Sequence, residues 1–128
     1  MTMTRVLIVD DQPRFRRHLR RLLTYAGLDV VGEAETIPQA EEVIQQLRPD
    51  LVILDVILPG VNGLAGTQRL KALLPDLRVI LISAYRDQAD GFRSAAEEVG
   101  ADAFIAKDDL SLEVVQTWRA SVRGGGES

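Results

Sequence analysis

Leu51-Val52-Ile53-Leu54-Asp55-Val56-Ile57-Leu58-Pro59-Gly60-Val61-Asn62-Gly63 is an apolar run that ends in one acid and passes directly into a Pro/Gly/Asn/Gly loop. A short, continuous apolar run bounded by turn residues reads as a strand buried on both faces, the habit of a parallel sheet. Asp55 then falls at the carboxyl end of a central strand, the edge of an open α/β sheet where ligands bind. A carboxylate there is costly unless it is paired or used. Asp55 is therefore the candidate functional centre.

On either side of this run the chain repeats one pattern. Val6-Leu7-Ile8-Val9 is a second apolar run, closed by Asp10-Asp11. Pro13 suits the first turn of a helix capped near Asp11 or Gln12. That helix turns Phe15, Leu19, Leu22 and Leu23 inward and stops at Gly27. Its other face carries Arg14, Arg16, Arg17, Arg20 and Arg21, read as a solvated face, with docking of an acidic partner as the alternative. His18, among them, is expected to be exposed.

Leu28–Ala34 is a mixed, less buried strand. Thr36 caps a helix with Pro38 in its first turn and Ile37, Ala40, Ile44 and Leu47 at helical spacing. Arg48-Pro49-Asp50 ends it. A helix after Gly63 carries Leu70, Leu73 and Leu74 and closes at Pro75-Asp76. Val79–Ala84 is the fourth strand and ends in a hydroxyl, Ser83. Phe92, Ala95, Ala96 and Val99 mark the next helix, capped by Gly100. Ala103–Lys107 is the fifth strand, and the last helix presents Leu112, Val115, Trp118 and Val122, with Trp118 read as a packing residue. Five strand-then-helix units with short connections predict one parallel sheet covered on both faces.

Composition bounds the function. A chain of 128 residues, 46% hydrophobic and 27% charged, is the size and make-up of one globular domain. It has no cysteine and one histidine, which excludes disulfides, thiol catalysis and multi-histidine metal sites. The start leads straight into a strand, and no apolar run approaches the ~18 residues of a membrane span, so a cytoplasmic, non-membrane protein is expected. A net charge of −4 argues against nucleic-acid binding by this chain alone. Arg123–Ser128 is glycine-rich and reads as a flexible tail or a truncated linker.

Asp10-Asp11, Asp55, Ser83 and Lys107 all stand at strand ends, and in a parallel sheet those ends share one edge. Each has a dull explanation alone: a helix cap, a solvated lysine. Together they can converge on a single pocket. Crowded carboxylates repel and call for a cation. With only oxygen ligands, Mg²⁺ is the expected ion. A carboxylate beside Mg²⁺ can act as a nucleophile toward phosphorus, with Lys107 and the Ser83 hydroxyl offsetting charge on the transferred group. Ala84 is small and leaves the pocket open to a donor.

In this order and spacing, Val9-Asp10-Asp11, Leu54-Asp55 with Pro59-Gly60 and Gly63, Ile82-Ser83-Ala84, and Gly100-Ala101 leading to Phe104-Ile105-Ala106-Lys107 resemble the receiver domain of two-component response regulators, from about Thr4 to Val122. The resemblance implies a flavodoxin-like (CheY-like) α/β fold: a doubly wound, five-stranded parallel sheet of strand order 2-1-3-4-5 with five helices. It implies a receiver over residues 4–122 and a tail over 123–128. It further implies a signalling phosphoacceptor rather than an enzyme, with Asp55 taking a phosphoryl group from a sensor histidine kinase. By the same carry-over, Asp11, Asp55 and the Ile57 carbonyl bind Mg²⁺ directly and Asp10 binds it through water, while Ser83 and Lys107 contact the phosphoryl group. Ser83 then draws toward that group and Phe104 enters the space it leaves, repacking the face of the fourth helix, fifth strand and fifth helix. The sequence leaves open whether Phe104 moves or is simply core. The implied partners are the kinase, a second copy through that face, and a DNA-binding domain in a longer parent protein.

Two departures from the family pattern carry expectations. Asp108 follows Lys107 where many receivers have a proline after a cis bond. Without proline a cis bond costs about 2.5–4 kcal/mol, so a trans bond or a strained loop is expected. Ile57 and Tyr85 flank the pocket, and their bulk is expected to hinder an attacking water. Rival readings are weaker. A phosphatase of the haloacid dehalogenase class needs an acid where Ile57 stands. A pseudo-receiver usually lacks one of the acids or the lysine. A flavodoxin needs a hydroxyl-rich phosphate loop in place of Asp10-Asp11-Gln12-Pro13.

Overall fold

The computed structural model describes residues 3–84 and 89–119. Tyr85, Val122 and the glycine-rich tail lie outside the described residues. The elements alternate as read from the sequence: β1 Arg5–Val9, α1 Pro13–Tyr25, β2 Asp29–Ala34, α2 Ile37–Leu47, β3 Leu51–Asp55, α3 Gly63–Leu73, β4 Arg78–Ser83, α4 Ala89–Glu98, β5 Ala103–Ala106 and α5 Leu112–Gln116, with a 3₁₀ turn at Lys107–Asp109. All pairings are parallel and the sheet order is β2-β1-β3-β4-β5. Every residue of β3 is buried, as its unbroken apolar run requires.

The period of two divides the strands between two cores. Leu7, Val9, Val52, Leu54, Val79, Leu81 and Phe104 pack on one face with residues of α2, α3 and α4. Val6, Ile8, Leu51, Ile53, Ile80 and Ile82 pack on the other with α1 and α5, joined by Trp118, which is buried as expected. Thr36 caps α2 by accepting from the Gln39 N–H at 3.3 Å. Asn62 caps α3 by accepting from the Ala65 N–H at 2.9 Å. Gly27 and Gly100 end α1 and α4 with φ of +89° and +86°, the left-handed conformation that glycine adopts without cost. Among the described residues no helix is long and apolar enough to cross a membrane.

Some expectations are corrected at element ends. Leu73 is 39% exposed rather than inward, because it is the last residue of α3 and the helical step carries it off the core face. Leu74, just past the helix, leaves helical geometry and buries instead. Leu47 and Leu112, at helix ends, are each 38% exposed. The fourth strand ends at Ser83 and the fifth at Ala106, each one residue earlier than the strand read from the sequence.

The arginine face of α1 is partly structural. Arg16 Nε and Arg20 Nε donate to the two oxygens of Glu33 at 2.8 and 2.7 Å, and Arg16 Nη1 donates to the Asp10 carbonyl. Burial tends to raise the Glu33 carboxyl, but the two guanidinium groups outweigh it and hold the pKa below its ordinary value. Arg14, Arg17, Arg21 and His18 remain exposed, so the solvated reading holds for that half of the face.

Candidate functional site

The strand periodicity that builds the α1/α5 core also delivers three of the site residues. Ile8, Ile53 and Ile105 face that core. Two residues further along each chain stand Asp10, Asp55 and Lys107, which inherit the same side of the sheet where β1, β3 and β5 run out. Ser83 follows Val79 and Leu81 and so inherits the opposite side, the one that Phe104 occupies. Ser83 is buried at the end of β4.

At this edge the Lys107 ammonium sits between two carboxylates, 2.7 Å from Asp10 Oδ2 and 3.0 Å from Asp55 Oδ2. Each acid commits its other oxygen to the backbone two residues on. Asp10 Oδ1 accepts from the Gln12 N–H at 2.8 Å, and Asp55 Oδ1 accepts from the Ile57 N–H at 3.0 Å. These paired Asx turns fix both carboxylates while directing one oxygen of each toward the lysine. Asp10 is wholly buried, Asp55 is 5% exposed, and Asp11 stands exposed beside them. Lys107 Nζ also lies 3.3 Å from Gln12 Oε1 and 4.0 Å from the centroid of the Phe15 ring.

The Asp55 pKa is pushed up from 3.8 to about 6, first by burial and then by the neighbouring Asp10 carboxyl. The Ile57 N–H and the Lys107 charge pull the other way. Even so raised, Asp55 is largely ionised at neutral pH, which is the form a nucleophile needs.

Asp10, Asp11 and Asp55 each present an oxygen, all within 4.8 Å of one another. Three carboxylates against one ammonium leave two negative charges, the charge of one divalent cation. The donor set is all oxygen, with Cys absent and His18 exposed on α1, so these residues fit a hard cation such as Mg²⁺. Above them opens a cavity of about 350 Å³, lined by Asp11, Gln12, Asp55, Ile57, Leu58, Pro59, Ala84 and Lys107. The structure therefore brings Asp10, Asp11, Asp55, Ile57, Ala84 and Lys107 to one place, with Ser83 buried in the strand end beside it. Ile57 is 45% exposed at the cavity wall.

Phe104 is in the core, 9% exposed, with its ring 6.4 Å from that of Phe92. The Arg93 guanidinium lies 5.2 Å over the ring and Nη1 donates to the Phe104 carbonyl at 3.3 Å. No peptide bond among the described residues is cis, so Lys107–Asp108 is the trans alternative, and the chain enters a 3₁₀ turn there.

Sequence reading missed the neighbours of Lys107. Phe15 counted only as core by its helical spacing, and Gln12 only as a position near the cap. Their one local signal is their spacing, three residues apart and hence on one side of the first turn. Gln12 and Lys107 are 95 positions apart in sequence, so nothing local pointed to the lysine.

A sequence-family model for the response regulator receiver domain matches residues 6–117. The response regulator GacA of Pseudomonas viridiflava is 33% identical over 123 residues, which are 95% of this chain and 56% of that protein. The chain thus spans about half the length of this relative. The chemotaxis protein CheY of Thermotoga maritima is 36% identical over 112 residues, 88% of this chain and 92% of that one. Among solved structures, the signal receiver domain of the putative response regulator NarL from Mycobacterium tuberculosis superposes with a TM-score of 0.80 at 29% identity, covering 98% of each chain. The matched span contains Asp10, Asp11, Asp55, Ser83 and Lys107, and the chain belongs to the receiver domain family of two-component response regulators.

Proposed function

We propose that Asp55 is the phosphoacceptor of this receiver and that its donor is the phosphohistidine of a sensor histidine kinase. The observation that carries the reading is the Lys107 ammonium bridging Asp10 and Asp55 on the wall of an open cavity at the carboxyl edge of the sheet. A carboxylate oxygen of Asp55 attacks phosphorus, the P–N bond breaks with its electron pair going to nitrogen, and the imidazole, already protonated on its other ring nitrogen, leaves neutral. Lys107 follows the new charge from the Asp55 oxygen to a phosphoryl oxygen, and the Ser83 hydroxyl donates to another. Asp11, Asp55 and the Ile57 carbonyl would hold Mg²⁺, with Asp10 assisting through water. The ion, when bound, neutralises charge on the transferring group. Catalysis is confined to this self-directed transfer and a slow loss of the group.

Phosphorylation then acts as a switch, a local charge change biasing a two-state element. Ser83 and Phe104 share one face of adjacent strands, with Leu81 paired to Phe104 in the sheet, so a movement of Ser83 toward the phosphoryl group opens space on the Phe104 side. The surface of α4, β5 and α5 is the part repacked, and it controls a partner, a homodimer or an attached output domain. The receiver unit spans 4–122, followed by a tail or linker. A C-terminal DNA-binding domain in a parent protein fits the half-length match to GacA. The setting is cytoplasmic, with no nucleic acid bound by this chain alone.

The test is intact mass after incubation with Mg²⁺ and acetyl phosphate. The expected result is one phosphoryl group on the wild type, none on Asp55→Ala, and none with chelator. No gain at any donor concentration would mark a phosphorylation-independent scaffold.

A further inference from the structure

The Lys107 ammonium lies within 3.3 Å of three oxygens: it is ion-paired with Asp10 Oδ2 and Asp55 Oδ2 and donates a hydrogen bond to Gln12 Oε1. The Phe15 ring then presents its face to the same nitrogen at 4.0 Å. Two of these four contacts are charged and two are neutral, and the neutral pair comes from one turn at the start of α1. The side chain is 9% exposed, so the cation is largely withdrawn from water and the ring quadrupole acts on it at near full strength.

We infer that Phe15 and Gln12 are positioning residues for phosphoryl transfer, acting through Lys107. The inference rests on the phosphoacceptor reading above. Its physical basis is the difference between the two kinds of contact. When a divalent cation binds the carboxylates, it competes with the ammonium for the same oxygens and weakens the charged contacts. The neutral contacts do not compete with the cation. A π face and an amide oxygen keep the ammonium over Asp55 while leaving its charge uncompensated, available to an incoming phosphoryl oxygen. A lysine held only by the two acids would be released to solvent at the moment the site is loaded. The first turn of α1 thereby becomes part of the phosphoacceptor site.

The experiment is a double-mutant cycle on phosphoryl uptake from acetyl phosphate at saturating Mg²⁺. It uses wild type, Phe15→Leu, Lys107→Ala and the double variant, all at one donor concentration high enough to time the slowest. Urea midpoints establish that each protein is folded. Phe15→Leu keeps the apolar volume and removes the π face, and is expected to slow uptake about threefold to thirtyfold. Phe15→Tyr, which keeps the face, restores the rate. In the Lys107→Ala background Phe15→Leu has no further effect, because the group it acts through is gone. Gln12→Ala follows the same pattern with a smaller loss. Independent, multiplying effects of Phe15→Leu and Lys107→Ala, or an unchanged rate in Phe15→Leu, overturn the positioning role while leaving the phosphoacceptor reading intact. A wild type that takes up no phosphoryl group overturns both.

Discussion

Gly63→Ala is the substitution whose outcome follows most directly from the geometry. Gly63 opens α3 immediately behind Asp55, and its N–H donates to the Val56 carbonyl at 2.7 Å. A Cβ on residue 63 would overlap the Asp55 carbonyl oxygen and come within 2.9 Å of the Asp55 carbonyl carbon and Val56 Cα. All three are backbone atoms at the end of the most buried strand, so no change of rotamer relieves the clash. Either α3 withdraws or the end of β3 does. Overpacking a well-filled site costs about 1–3 kcal/mol when side chains can yield. With backbone as the obstacle we expect about 3 kcal/mol or more, roughly 10 °C in Tm. Displacement of Asp55 also breaks its contacts to Ile57 and Lys107, so phosphoryl uptake falls with stability. Gly60→Ala is the control: its φ is +78° but a Cβ there meets open space, so only the left-handed backbone is penalised, about 1–2 kcal/mol. Urea unfolding and acetyl phosphate labelling of both variants decide the matter. A Gly63→Ala protein within about 1 kcal/mol of wild type that labels normally would refute the reasoning.

Three further outcomes are expected. Asp55 has a folded-state pKa of about 6 against 3.8 ordinarily, so the native state holds an extra proton between those values. Its contribution is fully present below about pH 4 and is lost as pH rises through 6. In metal-free buffer Asp55→Asn should therefore be more stable than wild type at pH 7.5, by at most about 3 kcal/mol, with the gap closing as pH falls. Urea midpoints that differ by a constant amount from pH 4 to 7.5 would contradict this. Adding Mg²⁺ at pH 7.5 should raise the wild-type midpoint, by about 1.4 kcal/mol at ten times its Kd; Asp11→Asn should blunt the rise, and an undiminished rise would place the ion elsewhere. Ile57→Asn should speed loss of the phosphoryl group by replacing an apolar wall with a group that can hold a water. A rate unchanged or lower counts against a shielding role for Ile57.

The parts of this molecule legible in its sequence are those governed by short periods. The apolar runs of β1, β3 and β4 had one reading, and the polar residue at the end of each run then had one place to go. Asp10, Asp55 and Lys107 converge because each stands two residues beyond an isoleucine of the same core, a regularity visible before any coordinates. Element ends were less legible. Leu73 and Leu74 differ only in which side of a helix terminus they fall, whereas the end of α2 at Arg48 was legible from the proline that follows it. Least legible were contacts between distant segments. Nothing near Phe15 tells a core ring from one that faces a cation. The guanidinium of Arg93 over Phe104 is likewise set by how α4 docks on β5, not by either segment alone.

The strand order has a consequence for synthesis. β5 is the last strand of this sheet in chain order and lies at its edge, and it leads into the lysine that bridges Asp10 and Asp55. A nascent chain that has threaded only as far as β4 can assemble four strands, but their acids then face one another without Lys107. Such an intermediate carries unrelieved repulsion at its upper edge. Completion of the sheet and relief of that repulsion are therefore one event. Until β5 docks, Asp10 and Asp55 stand together without the lysine that bridges them, so the four-stranded stage is the least stable point in assembling this edge.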